Sequence, residues 1–297
     1  MFVYEAAALG AAALWALTGL ISAGPAQHLG AIAFNCTRMV LVALMLIAWV
    51  AFTTGWGSIS AGHIVPLMLS GVIGIFMGDT ALFLTLNRMG PRRTAMLFSL
   101  NAPMSAVLGW LLLNEDLTGT QILGILLTFG GVLLAIRFGK RKSQLHQWES
   151  IRGPLWAGVL LGLAAALSQS IGSLIARPVM ETGADPVAAS SLRVGMAALC
   201  LLALTRLPVS WVKPAGRFTP SLVGLIALSG FLGMGVGMTL ILFALSGGEV
   251  GIIATLSATT PALMLPMLWW RTKEIPALGA WAGAGLVVIG SALLFAS

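Results

Sequence analysis

Charge is what this sequence has least of. Only 8% of its 297 residues are Asp, Glu, Lys or Arg, against 58% hydrophobic, and the mean hydropathy is +0.99. A water-soluble domain carries about 25% charged residues, so a soluble globular protein is excluded and the bilayer is the solvent. Cysteine and histidine are scarce as well: Cys36 and Cys200 lie inside apolar runs, and His28, His63 and His146 lie in connections. Neither set has metal-ligand spacing, so both read as packing and loop residues, and no cofactor or metal is expected. The chain has no H-E-x-x-H, no G-x-S-x-G, no P-loop and no paired carboxylates apart from Glu115-Asp116, which argues against an intramembrane enzyme and against ATP hydrolysis by this chain. No ring of charge or repeated filter points to a channel. The formal charge of +7 would suit nucleic acid in a soluble protein. Here the basic residues fall between apolar runs, where lipid is the relevant partner, and nucleic-acid binding is discarded.

What is present is apolar sequence in long blocks. A spanning helix takes about 20 apolar residues, and short loops add about 5 to 8 each, so the length holds roughly ten or eleven spans and no soluble domain. Breaks at polar and Pro/Gly clusters predict ten helices, over 3–23, 30–54, 64–86, 92–113, 119–137, 154–176, 185–207, 220–245, 250–270 and 276–296. The first of these ends near the small residues Ala23-Gly24-Pro25-Ala26, but it carries Glu5 where a secretory signal carries basic residues, and it is expected to be a retained span.

Connections after odd-numbered helices hold Arg88, Arg92, Arg93, Arg137, Lys140, Arg141, Lys142, Arg152, Arg206, Lys213, Arg217, Arg271 and Lys273; those after even-numbered helices hold only Arg177. Cytoplasmic loops are enriched in Lys and Arg. The expectation is therefore a multi-pass protein of the inner (plasma) membrane with its basic loops cytoplasmic and both termini on the other side.

The two halves echo each other. Gly74, Gly78, Gly124 and Gly131 recur as Gly233, Gly237, Gly283 and Gly290 at one common offset. Pro103 recurs as Pro261 and Arg38 as Arg193 at nearly the same one. Five spans per copy is an odd number, so the second copy crosses in the opposite sense. Inverted repeats of this kind suit a secondary transporter, in which one half rocks against the other around a central site.

The segment "GDTALFLTLNRMGPRRTAMLFSLNAPMSAVLGWLLLNEDLTGTQILGILLTFGGVLLAI" and its weaker echo in the second half resemble the repeat of the drug/metabolite transporter superfamily, in particular its EamA-type ten-helix members. Trp15 in the first helix, Pro103 and Pro261, Glu115 and Glu274 closing the fourth and ninth helices, and the glycines of the fifth and tenth carry the match. The resemblance implies an all-α integral membrane fold of ten transmembrane helices as two inverted five-helix repeats. The first repeat covers residues 1–137, a basic connecting loop 138–153 and the second repeat 154–297. It also implies a central cavity for small metabolites, with bacterial exporters of amino acids among similar members. Family members often have cytoplasmic termini; this N-terminus bears only Glu5, and the loop charge points the other way.

An ionisable side chain inside a span costs at least about 2.5 to 3.5 kcal/mol. Arg38, Asp79 and Arg193 are the candidates for a buried explanation. Arg38 and Asp79 come to similar depths and are expected to pair, pinning the second helix to the third; the alternative makes Asp79 a proton or substrate-amine site. Met238 stands at the repeat position of Asp79, whereas the arginine is duplicated, which points to an architectural or carboxylate-facing role.

Pro103 and Pro261 are expected to bend their helices and free carbonyls for a cavity wall. Ser99 and Asn101 in one half, and Thr255, Ser257, Thr259 and Thr260 in the other, are polar candidates beside them. Trp15 and Met77, with Phe76 and Phe83, would make one side of the cavity apolar. Ser168 and Gln169, at the repeat position of Trp15, would make the other side polar, which fits a zwitterion with an apolar body. Trp49, Trp56, Trp110, Trp211, Trp269 and Trp270 read as an interfacial belt.

The expected function is export of small metabolites, amino acids with aromatic or neutral side chains foremost, by a facilitator or a proton-coupled carrier. The alternative is a multidrug exporter of hydrophobic cations coupled to protons through Asp79. Expected partners are the lipid bilayer, a small-molecule substrate such as an amino acid, and protons where transport is coupled. The protein is expected to be a monomer or a weak homodimer.

Overall fold

The computed structural model describes residues 3–53, 55–113, 116–140, 146, 150–245 and 256–295. Glu115 and Thr255 lie outside the described residues. Among those described, the secondary structure is entirely helical. The helices are α1 (Val3–Leu29), α2 (Ala31–Thr53), α3 (Ala61–Ser70), α4 (Gly78–Phe98), α5 (Asn101–Leu113), α6 (Gly119–Phe138), α7 (Leu155–Glu181), α8 (Pro186–Thr205), α9 (Pro220–Gly230), α10 (Met238–Leu245), α11 (Thr260–Thr272) and α12 (Leu278–Phe295). Two π-helical stretches, Gly71–Met77 and Phe231–Gly237, join α3 to α4 and α9 to α10 without a break.

Seven stretches among the described residues are long and apolar enough to cross a membrane: Val3–Leu29, Ala31–Thr53, Ala61–Phe98, Gly119–Phe138, Leu155–Glu181, Pro186–Thr205 and Pro220–Gly237. Ala61–Phe98 has 38 residues, far more than the roughly 20 that one crossing needs. Gly90, with φ 77° and ψ 171°, divides it; only glycine adopts that backbone without strain. The chain therefore turns at the predicted loop between 86 and 92. Gly30, at φ 85°, makes the one-residue link between α1 and α2.

Helix starts follow the local sequence. Asp185 accepts from Ala188 N at 2.8 Å with Pro186 in the first turn of α8, and Thr219 accepts from Leu222 N ahead of Pro220 in α9. Thr118 and Gln121 form a reciprocal capping box at α6. The predicted first span ends too early, because α1 continues through Ala23-Gly24-Pro25-Ala26, where Ala23 and Ala26 are fully buried.

The halves pack by exchange. α1 lies against the Phe231–Gly237 turn and α10–α11 of the other half, while α7 lies against the Gly71–Met77 turn and α4–α5. α2 packs on α8, and α6 on α12. The α6–α12 crossing is set by the duplicated glycines: a β-carbon on Gly131 would stand 2.6 Å from Gly283 O, and one on Gly124 2.6 Å from Gly290 O. Close backbone approach through small residues is how helices associate when the surroundings are as apolar as their side chains.

The connections sort into two faces. Ala215 N donates to Leu29 O, Asn87 Nδ2 to Ala26 O, Arg152 N to Arg88 O, and His146 N to Glu274 Oε1. These bonds gather the stretches that contain or adjoin Arg88, Arg152, Arg217 and Lys273 at one end of the bundle. At the other end Asp185 N donates to Ser58 Oγ at 2.8 Å, and Thr182 meets His63.

Candidate functional site

Away from the ends of the spans, the charged groups among the described residues come from α2, the start of α4, and α8. Arg38 sits in the first half of α2, after Asn35 and Thr37 have introduced polarity into an otherwise apolar helix. Asp79 follows the first π turn. A π turn takes up one extra residue, which rotates everything after it by about 100° relative to a continuous α-helix; here it brings Asp79 to Arg38, with Nη1 3.3 Å from Oδ2. The side chains are 8% and 15% exposed, so the pair is nearly desolvated. Arg38 is further held by the Phe83 ring, whose centroid is 5.4 Å from the guanidinium carbon. Phe83 in turn packs edge-on against Phe34 at 4.8 Å. Asn35 donates to Thr80 Oγ1 at 3.3 Å, a second tie between α2 and α4.

Each π turn receives the opposite half. Trp15 donates its indole N–H to Gly233 O at 3.0 Å, inside the second π turn, where the loosened i-to-i+4 pattern leaves carbonyls to be satisfied. Gly237 lies directly under the same ring. In the first π turn Gly74 meets Gly172 and the Ser168 carbonyl of α7, and Gly78, which follows the turn, meets the Ser168 side chain. Ser70 Oγ donates to Gly172 O at 2.6 Å. The arginines follow the same symmetry. A β-carbon on Gly233 would stand 3.2 Å from Arg38 Nη2, and one on Gly74 3.5 Å from Arg193 Nη2. Trp15, Arg38, Asp79, Ser168 and Arg193 thus gather around the two turns, with Gln169 beside Ser168 on α7 and half-buried. Met77 ends the first turn and is 52% exposed.

The remaining polar candidates sit at two helix breaks. The fourth predicted helix is interrupted at Ser99–Leu100 and the ninth at Ala258–Thr259, each just ahead of its proline. Pro103 and Pro261 therefore lie in the first turns of α5 and α11, rather than bending continuous helices, since proline is tolerated where the N–H has no helical partner. Freed carbonyls are capped locally and symmetrically. Ser99 Oγ donates to Met96 O, Asn101 Nδ2 to Phe98 O, Thr259 Oγ1 to Leu256 O and Thr260 Oγ1 to Ser257 O. Ser257 is half-buried at the second break.

Sequence reasoning missed both π turns and Ser170. The Ser170 hydroxyl donates to Asn101 O at 2.8 Å and so ties α7 to the first break. Paired glycines at matching places in the two halves were the available signal for the π turns. Among the described residues, no three His, Cys, Asp or Glu side chains converge as metal ligands would. An apolar recess of about 340 Å3, lined by Leu17, Leu20, Ile21, Met267, Trp270 and Arg271, opens between α1 and α11.

The division into two repeats agrees with the comparison to known proteins. Residues 3–137 and 156–296 each match the EamA-like transporter family. The chain belongs to that family. The two matched stretches are the two halves that exchange contacts, so this EamA-like transporter carries the family's unit twice. "Uncharacterized transporter YyaM" of Bacillus subtilis (strain 168) is 33% identical over 103 residues, a match spanning 34% of each chain and thus about a third of that relative's length. A solved crystal structure 16% identical in sequence superposes with a TM-score of 0.69, covering 98% of this chain and 95% of that one, which shows a shared fold.

Proposed function

We propose that this EamA-like protein is a secondary transporter of ten spans, arranged as two inverted five-helix repeats, which exports small metabolites, amino acids with neutral or aromatic side chains foremost, by alternating access. The observation that carries the reading is the reciprocal packing of the halves, in which the first helix of each repeat lies against the π turn of the other. A contact surface repeated by pseudo-symmetry has two equivalent ways to close, one toward each face, as alternating access requires. Trp15 and Phe83 near the charged groups supply an apolar and a polar side within one site, which suits an amphipathic zwitterion. Asp79 is bonded to Arg38, so a hydrophobic cation would have to displace a guanidinium to use it, and this weighs against the multidrug reading. A facilitator fits a site so poor in proton-relay groups.

The basic end of the bundle is assigned to the cytoplasm of the plasma membrane by the positive-inside rule, which puts both termini on the other side. Function is tested by flux of labelled amino acids and of cationic drugs into proteoliposomes, with and without a pH gradient. Gradient-independent flux of neutral or aromatic amino acids is expected. Flux of cations alone would overturn the reading.

A further inference from the structure

We propose that Arg193 is the docking group for a carboxylate on the transported molecule, so that this protein selects substrates bearing an anionic head. The inference rests on the transporter reading above and names the chemistry of its site.

The charged cluster is unbalanced. Arg38 and Arg193 are equivalent by the internal repeat, but the acid is not duplicated, because Met238 stands where the first half has Asp79. Arg38 is held twice, by Asp79 at 3.3 Å and by the Phe83 ring, with only its Nε buried and unpartnered. Arg193 makes no ion pair or hydrogen bond with a described residue, and its Nε, like that of Arg38, is buried without a partner. Asp79 lies within electrostatic reach of Arg193 but is bonded to the other guanidinium. One buried and one half-buried guanidinium against a single half-buried carboxylate leave an excess of positive charge within the spans. A guanidinium is not neutralised by losing its proton under ordinary conditions, so an anion has to supply the balance. Arg's planar fork matches a carboxylate in two parallel bonds.

The position suits a transported anion. At 1.5 Å per residue, Arg38 lies about 10 Å inside α2 from its Ala31 end and Arg193 about 10 Å inside α8 from its Pro186 end. Those two ends belong to opposite faces of the bundle, as the Leu29–Ala215 and Ser58–Asp185 bonds show. Arg193 also rests on Gly74 and its backbone on Gly71, next to the turn that carries Asp79. A rearrangement of that turn therefore reaches the guanidinium directly.

The test uses the full-length protein in maltoside detergent without anionic lipid, and follows its thermal unfolding midpoint with phenylacetate, phenylacetamide and phenethylamine. These share one aromatic body and differ in the head group. Phenylacetate is expected to raise the midpoint in a saturable manner, and the amide and the amine are not. Arg193→Gln should weaken phenylacetate binding by about tenfold or more, the value of one or two charge-assisted bonds. Arg193→Lys keeps the charge but loses the fork and should weaken it by a smaller factor; this variant carries the test if the glutamine form does not fold. Equal shifts from all three compounds, or unchanged phenylacetate affinity in either folded variant, would overturn the proposal. If phenylacetate binds through Arg193 and yet no amino acid crosses proteoliposomes, the anion site stands and the export reading falls. Flux that persists undiminished when the substrate's carboxylate is removed would leave transport standing and overturn the anion site.

Discussion

Arg38 and Asp79 illustrate what a buried ion pair does in a bundle this apolar. Desolvating two charges costs several kcal/mol each, and their attraction offsets this only while both are present. Asp79→Asn or Arg38→Met alone should therefore lower stability by about 3 to 5 kcal/mol, whereas the double substitution should lower it by less than either single one. Thermal unfolding of the three variants measures this. Amino-acid flux per folded molecule should survive in Asp79→Asn; loss of flux with normal folding would move Asp79 from the framework into the mechanism. Trp15 makes a second residue-scale case. Trp15→Phe keeps an aromatic side chain, though a smaller one, and leaves Gly233 O without its donor, and an unsatisfied buried carbonyl costs about 1 to 3 kcal/mol. The same unfolding assay reads that loss, and an unchanged midpoint would show that water reaches the carbonyl.

Among the helices, the α6–α12 crossing offers an internal control, because Gly130 and Gly131 are adjacent and differ in surroundings. A β-carbon on Gly131 would meet Gly283 O at 2.6 Å, while one on Gly130 meets nothing within 4 Å. Gly131→Ala should destabilise by about 1 to 3 kcal/mol, as overpacking does. Gly130→Ala should be neutral or stabilise by about 0.5 to 1 kcal/mol, since alanine is the better helix former. Comparable losses in both would mean that the crossing opens readily. The helix breaks belong to the same scale. Pro103 and Pro261 mark them in sequence, but the breaks fall a few residues earlier, at Ser99–Leu100 and Ala258–Thr259, because a proline in a first turn ends the preceding segment rather than kinking a continuous one.

The whole molecule has two chemically distinct ends, and charge predicts which is which. A cysteine replacing Lys213, on the end that gathers the basic connections, should be labelled by an impermeant thiol reagent only after the cells are opened. A cysteine replacing Ser58, on the opposite end, should be labelled in intact cells. The reverse pattern would invert the assigned orientation without touching the fold. Both variants are best made with Cys36 and Cys200, the two native free thiols, replaced by serine or alanine.

Much of this was legible in the order of residues alone. Apolar block length and the duplicated glycines are properties of a chain in a bilayer, where every backbone group must be satisfied inside the protein; they specify a helical, twofold-repeated membrane protein before any packing is known. The pairing of Arg38 with Asp79 was reachable by counting depth along two helices. The π turns were not, because a π turn has no sequence period of its own and forms where tertiary contacts reward the extra residue: Gly74 against α7, Gly233 against Trp15. Nor could the sequence say that Trp15 donates to a carbonyl, that Ser99 and Thr259 cap their own helix breaks, or that of two equivalent arginines one is doubly held and the other is not. Those are matters of a few ångströms between residues far apart in the chain, and only the folded molecule sets such distances.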